Sequence, residues 1–145
     1  MFFVDVVNQG AIPAMEKMLA FTQARQRMLA ENVANADTPF YATKQLDTRA
    51  FQEALREALE DRQRGGSGEF RIRGSDQFQQ DESGRLVVTP TSEPAENLLF
   101  HDQTNASIER QMAMVAENGM THQTIAELLN NQFQGILAAI RERVA

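Results

Sequence analysis

The sequence predicts a mainly α protein whose N- and C-terminal helices form a coiled-coil-like bundle, with a short middle insertion carrying a helix and a small β-hairpin. Three observations predict it. Apolar residues concentrate in the two ends of the chain. In both ends they recur at alternating spacings of three and four, the mark of an amphipathic helix. The middle breaks this pattern with glycine, proline and short alternating runs. The expected organisation is residues 1–41 as N-terminal helix and turn, 42–104 as the insertion, and 105–145 as a long C-terminal helix.

In the N-terminal part, Ile12, Met15, Leu19, Leu29 and Val33 share one seam, with Met18, Phe21 and Met28 on its flank. Pro13 is acceptable in a first helical turn, where its missing N–H leaves no bond unmade. The helix is expected to stop near Asn35, because Asp37-Thr38-Pro39 joins turn formers to a proline that drives Thr38 out of helical geometry. Before it, Met1-Phe2-Phe3-Val4-Asp5-Val6-Val7 lacks a basic flank and turns polar at Asn8, so no cleaved signal peptide is expected.

The last forty or so residues carry the stronger pattern. Ile108, Met112, Val115, Gly119, His122, Ala126, Leu129, Phe133, Ile136 and Ile140 keep the three-four spacing through four heptads. Thr104, Asn105 and Ser107 offer caps at its start, and Arg141 and Arg143 suit the negative end of the helix dipole. A first helix of some 23 residues spans about 35 Å and a last one of nearly 40 about 55–60 Å. A private hairpin therefore leaves about a third of the longer seam unmatched, so that stretch must find another chain or the helix must fray. Gly119 and Gly135 either permit close helix approach or mark weak points in the helix.

In the insertion, Asp47 is positioned to cap a helix with the stripe Phe51, Ala54, Leu55, Ala58 and Leu59, and Arg56–Glu60 and Glu60–Arg64 are spaced as surface ion pairs. Gly65 to Gly68 ends that helix. Phe70-Arg71-Ile72-Arg73 alternates like a strand, with Leu86-Val87-Val88-Thr89 as its expected hairpin partner. Thr89 to Pro94 is expected to be extended or looped, since two prolines exclude a helix.

The chemistry the chain can support is narrow. Its 145 residues hold 14 Lys and Arg against 20 Asp and Glu, a net charge of -6 that repels nucleic acid and anionic membranes. It has no cysteine, hence no disulfide, thiolate ligand or Cys nucleophile. No apolar run approaches the roughly 20 residues of a membrane span. There is no phosphate-binding glycine loop, serine-hydrolase elbow or zinc-binding helix motif. Of the two histidines, His122 lies on the helical seam and is expected to pack there, and His101 beside Asp102 is expected to be a loop residue. No catalytic, cofactor or metal site is expected.

Asn32-Val33-Ala34-Asn35-Ala36-Asp37-Thr38-Pro39-Phe40-Tyr41 resembles the signature of the flagellar axial family, the rod and hook proteins, which reads N-x-A-N-x-x-T-P-G-Y. Asn32, Ala34, Asn35, Thr38, Pro39 and Tyr41 carry the match. Phe40 departs from it, standing where the family usually has glycine, so the turn must take another geometry or accept strain. Met114-Val115-Ala116-Glu117-Asn118, Leu128-Leu129-Asn130-Asn131-Gln132-Phe133 and Ala139-Ile140 look like the closing helix of the same proteins, with His122 where a tyrosine is common. Among basal-body rod subunits the short middle and the total length look most like a proximal one.

The resemblance implies a subunit exported by the flagellar type III apparatus that polymerises in the periplasm. Its partners are copies of itself, other rod subunits and the rod-to-membrane-ring adapter, with no nucleic acid and no small-molecule substrate. It implies that Leu19, Leu29 and Val33 pack with Met112, Val115, His122, Leu129, Phe133, Ile136 and Ile140 between helices or subunits, and that Asn32, Asn35, Thr38 and Tyr41 fix the turn. Two other readings are a paralogous rod subunit and a soluble helical adaptor that dimerises through the C-terminal helix.

Overall fold

A computed structural model of the chain describes residues 11–65, 68–92 and 104–144, with side chains described for 108–142 of the last stretch. Expectations that fall on Met1–Val7, His101 and the cap side chains Thr104, Asn105 and Ser107 lie outside what is described. The first helix, α1, is Ala11–Ala34 and the last, α3, is Thr104–Val144. They pack against each other antiparallel: Asn32 near the end of α1 meets Gln111, and Thr22 meets His122.

Between them lie β1 (Lys44–Gln45), helix α2 (Thr48–Gln63), β2 (Phe78–Gln80), β3 (Leu86–Val88) and β4 (Thr91–Ser92). Asp47 caps α2, its Oδ1 accepting from Ala50 N–H at 2.9 Å, which satisfies one of the orphan donors of a first turn. On α2 Glu60 pairs with Arg64 at 3.5 Å and Arg49 with Glu53 at 3.3 Å. Glu60 does not pair with Arg56, contrary to expectation.

The hairpin is corrected in one respect. Leu86–Val88 pairs with Phe78–Gln80, in register Phe78↔Val88 and Gln80↔Leu86, and not with Phe70–Arg73. The latter segment is extended, with Phe70 and Ile72 buried and Arg71 and Arg73 exposed, so the alternation holds without a strand partner. Its backbone finds a substitute in one side chain. Ile72 N–H donates to Gln80 Oε1 at 3.0 Å, and Gln80 Nε2 donates to Phe70 C=O at 3.0 Å. Gln77 treats the end of β1 in the same way, accepting from Asp47 N–H at 2.7 Å and donating to Gln45 C=O at 3.2 Å. A second two-stranded sheet joins β1 to β4, Lys44 opposite Ser92.

The core is built on α1 and not on the α1–α3 seam alone. Phe21 stacks on Phe51 of α2, ring centroids 4.0 Å apart and 2° from parallel, and Phe78 meets both rings edge-on at 6.5 and 5.5 Å. Ala14, Ala54, Leu55, Phe70 and Ile72 complete the cluster. Burying three phenyl rings at about 2–3 kcal/mol each explains how so short an insertion holds to the helix. Lys17, also buried, closes one side by donating through Nζ to Gly84 C=O in the β2–β3 turn.

Candidate assembly site

The turn leaving α1 is organised by Asn32, which is 4 % exposed. Its Oδ1 accepts from Lys44 N–H at 3.0 Å and from the Tyr41 hydroxyl at 3.2 Å. Its Nδ2 donates to Lys44 C=O at 2.8 Å and to Gln111 Oε1 of α3 at 3.4 Å. All four bonding positions of the carboxamide are thereby used, tying α1, the turn, β1 and α3 together. Asn35 works locally: its Nδ2 donates to Glu31 C=O at 2.9 Å and its Oδ1 accepts from Thr38 Oγ1 at 3.3 Å. Thr38 N–H bonds to Asn35 C=O at 2.9 Å and Tyr41 N–H to Thr38 C=O at 3.3 Å, so the chain reverses in successive tight turns. Ala34 and Pro39 are exposed. Lys44 Nζ also reaches Glu31 Oε2 at 2.6 Å, and that bond and charge hold the ammonium above its ordinary pKa.

Phe40 takes a left-handed backbone, the conformation for which a glycine is best suited. Its φ is 61°, left-handed, and its side chain is 97 % exposed. A β-carbon in this region is disfavoured by about 1–2 kcal/mol, so the turn keeps its shape at the expense of strain.

Along the α1–α3 contact the buried groups are polar as often as apolar. Thr22 Oγ1 lies 2.9 Å from Met18 C=O and 2.7 Å from His122 Nδ1, so the hydroxyl links the backbone of α1 to the imidazole of α3. Asn118, 1 % exposed, donates to Thr22 C=O at 2.9 Å and to Gln26 Oε1 at 2.8 Å, while its own Oδ1 has no partner. Buried amides at a helix seam specify register, since any slip leaves them unpaired.

Of the seam residues expected from the sequence, Leu29 is 1 % exposed and Leu19, Val33, Val115, His122, Leu129 and Ile136 are half-buried. Met112, Phe133 and Ile140 are 58 %, 43 % and 45 % exposed. The buried line of α3 runs instead through Gln111, Val115, Asn118, His122, Ile125 and Leu129. Both lines keep the three-four spacing and share Val115, His122 and Leu129; the contact is rotated so that Gln111, Asn118 and Ile125 face α1 in place of Met112, Gly119 and Ala126. Asn118, Gln26 and Gln111 escaped a search for apolar periodicity because they carry no apolar signal; their helical spacing from Val115, Leu29 and Leu129 was the available clue.

Two apolar surfaces of α3 remain. Met112, Met120 (66 % exposed) and Leu128 (50 %) lie round the sides that do not face α1. From Asn130 to Glu142 every residue but half-buried Ile136 is exposed, including Phe133, Leu137 and Ile140. This stretch prolongs the buried line by about 20 Å. Among the described residues no group of three or more His, Asp or Glu is placed to hold a metal, and no helix is long and apolar enough to cross a membrane.

Comparison with known proteins places this architecture. No family model and no solved structure matches the chain. Curated relatives do, over nearly its whole length. A flagellar basal body rod protein FlgB of Yersinia enterocolitica is 25 % identical over 141 residues, 92 % of this chain and 95 % of its own. The FlgB of Salmonella typhimurium is 24 % identical over 149 residues (91 % and 94 %), and that of Bacillus subtilis 24 % over 127 (88 % and 90 %). The chain is thus similar in sequence to flagellar basal-body rod proteins. Within that class it is the FlgB proteins that the chain is similar to, over about nine-tenths of its length.

Proposed function

We propose that the chain is a structural subunit of the flagellar basal-body rod that polymerises through its terminal helices into the proximal part of the periplasmic drive shaft, lining the export channel. It is delivered by the flagellar type III export apparatus. In the rod it meets copies of itself, other rod subunits and the rod-to-membrane-ring adapter. No catalysis, cofactor, nucleic acid or small-molecule substrate enters this reading.

The observation that carries it is the surface of α3. A helix with apolar residues on the face toward α1, on its other sides at Met112, Met120 and Leu128, and along its last four turns is a helix made to be surrounded. Among the described residues only the first of these surfaces is covered. Heterologous contacts between the rest that do not close into a ring generate an open helical assembly, and the polar pairs at Asn118 and His122 keep α1 and α3 in register as they form.

The test is genetic. A strain lacking the gene should form no rod, hook or filament and be non-motile, and the wild-type gene should restore all three. Leu128→Asp, on an exposed side of α3, should leave the isolated chain folded and fail to restore motility. Normal flagella in the deletion strain would overturn the assignment.

A further inference from the structure

We infer that Phe40 is an intersubunit anchor whose socket is the overhanging apolar end of α3 in a second copy of the chain; the inference rests on the rod reading. Two independent observations set Phe40 apart. Its backbone is held at φ 61°, which no contact of its own side chain repays, and that side chain is 97 % exposed. A rigid turn, braced by the bonds of Asn32, Asn35, Thr38 and Tyr41, therefore presents a phenyl ring to solvent. Strain of this kind persists where the surroundings enforce it and marks sites of use.

The complementary surface is at the other end of the molecule. Phe133, Leu137 and Ile140 are exposed on a stretch continuous with the α1–α3 seam. Gln111 lies at the level of Asn32, so Ile136 is 25 residues and about 37 Å further along α3. A ring at one end and an apolar stripe at the other cannot meet within one chain. Joined between chains they make a head-to-tail contact, which leaves a free ring and a free stripe at the two ends of each pair for further copies. Exposed Asp37 lies beside the ring, and the stripe ends at exposed Arg141, with exposed Glu142 after it, so Arg141 is the group available to Asp37 in such a contact.

The chain has no cysteine, which makes the contact directly testable. A tagged Phe40→Cys variant mixed with untagged Ile136→Cys at high protein concentration should, on mild oxidation, give the mixed dimer several-fold above either homodimer. The double variant should give a ladder of multimers. Phe40→Gly, which suits the left-handed backbone, should stay folded and self-associate about tenfold or more weakly, as expected for loss of one buried phenyl ring. Absence of the mixed dimer, a closed dimer without a ladder, or unchanged association of Phe40→Gly would overturn the inference. So would a stripe already covered by residues 1–10 of its own chain, seen as an intramolecular disulfide between Phe3→Cys and Ile140→Cys in the monomer. In the deletion strain, normal rods built from Phe40→Gly would refute the anchor while leaving the rod reading intact.

Discussion

The carboxamide of Asn32 pairs with both backbone groups of Lys44, at 2.8 and 3.0 Å, and so does for β1 what a neighbouring strand would do. Gln80 and Gln77 repeat the device on Phe70–Ile72 and Gln45–Asp47. The insertion is held less by strand ladders than by side-chain amides that imitate them, because its strands are only two or three residues long.

Asn32→Ala strands Lys44 N–H, Lys44 C=O and the Tyr41 hydroxyl in a part-buried setting. It should lower stability by about 2–3 kcal/mol, judged by urea unfolding. Asn35→Ala, whose bonds are exposed and local, should cost under about 1 kcal/mol.

Phe51→Ala removes the ring that stacks on Phe21 and meets Phe78. A loss of about 3–5 kcal/mol is expected, with hydrogen exchange rising first in α2 and β2–β3. Protection along α1 and α3 should fall less, because Thr22, His122 and Asn118 pair on the adjacent face of α1. Equal loss in all elements would show that core and seam form a single cooperative unit.

Three glycines should respond with opposite signs. At Gly84, φ is 81° and an added Cβ would stand 2.7 Å from Glu69 Oε1, so Gly84→Ala should destabilise by more than about 1 kcal/mol. At Gly119 and Gly135 an added Cβ meets nothing within 4 Å, so neither glycine serves packing within the chain. Gly119→Ala and Gly135→Ala should each stabilise the isolated protein by up to about 1 kcal/mol. Thermal melts in one buffer compare all three.

Asp81 supplies a pH dependence. The Ser83 hydroxyl at 2.6 Å, then Arg85 N–H at 2.8 Å and its guanidinium at 3.1 Å, lower its carboxyl pKa to about 2. A depressed folded pKa means stability that is fully present above the unfolded value near 3.9 and is lost as pH falls from about 4 through 2. Asp81→Asn should flatten that part of the stability profile. An unchanged slope between pH 4 and 2 would show that the turn does not favour the ionised form.

Much of the helical structure was legible because it is local. Periodicity, the Asp47 cap and the Thr38-Pro39 stop placed helix boundaries close to those observed for α1 and α2, whereas the motif left open whether Phe40 takes another geometry or accepts strain, and the structure shows the strained one. The partner of Leu86–Val88 was not legible. Phe70–Arg73 and Phe78–Gln80 both carry apolar residues at the right separation, and the choice between them rests on how Phe78 fits Phe21 and Phe51 across the chain.

By itself, then, the sequence determined that this protein has two long amphipathic helices, a short insertion between them and the turn signature of a rod protein, because caps, periods and prolines act over a few residues. Only the tertiary structure decided which face of α3 is used. Packing between elements selects the rotation at which Asn118 and His122 reach Thr22, and that rotation leaves Met112, Met120 and Leu128 outside. It also decided that the aromatic core belongs to α1 and the insertion, since three rings far apart in sequence gain their burial only when they meet.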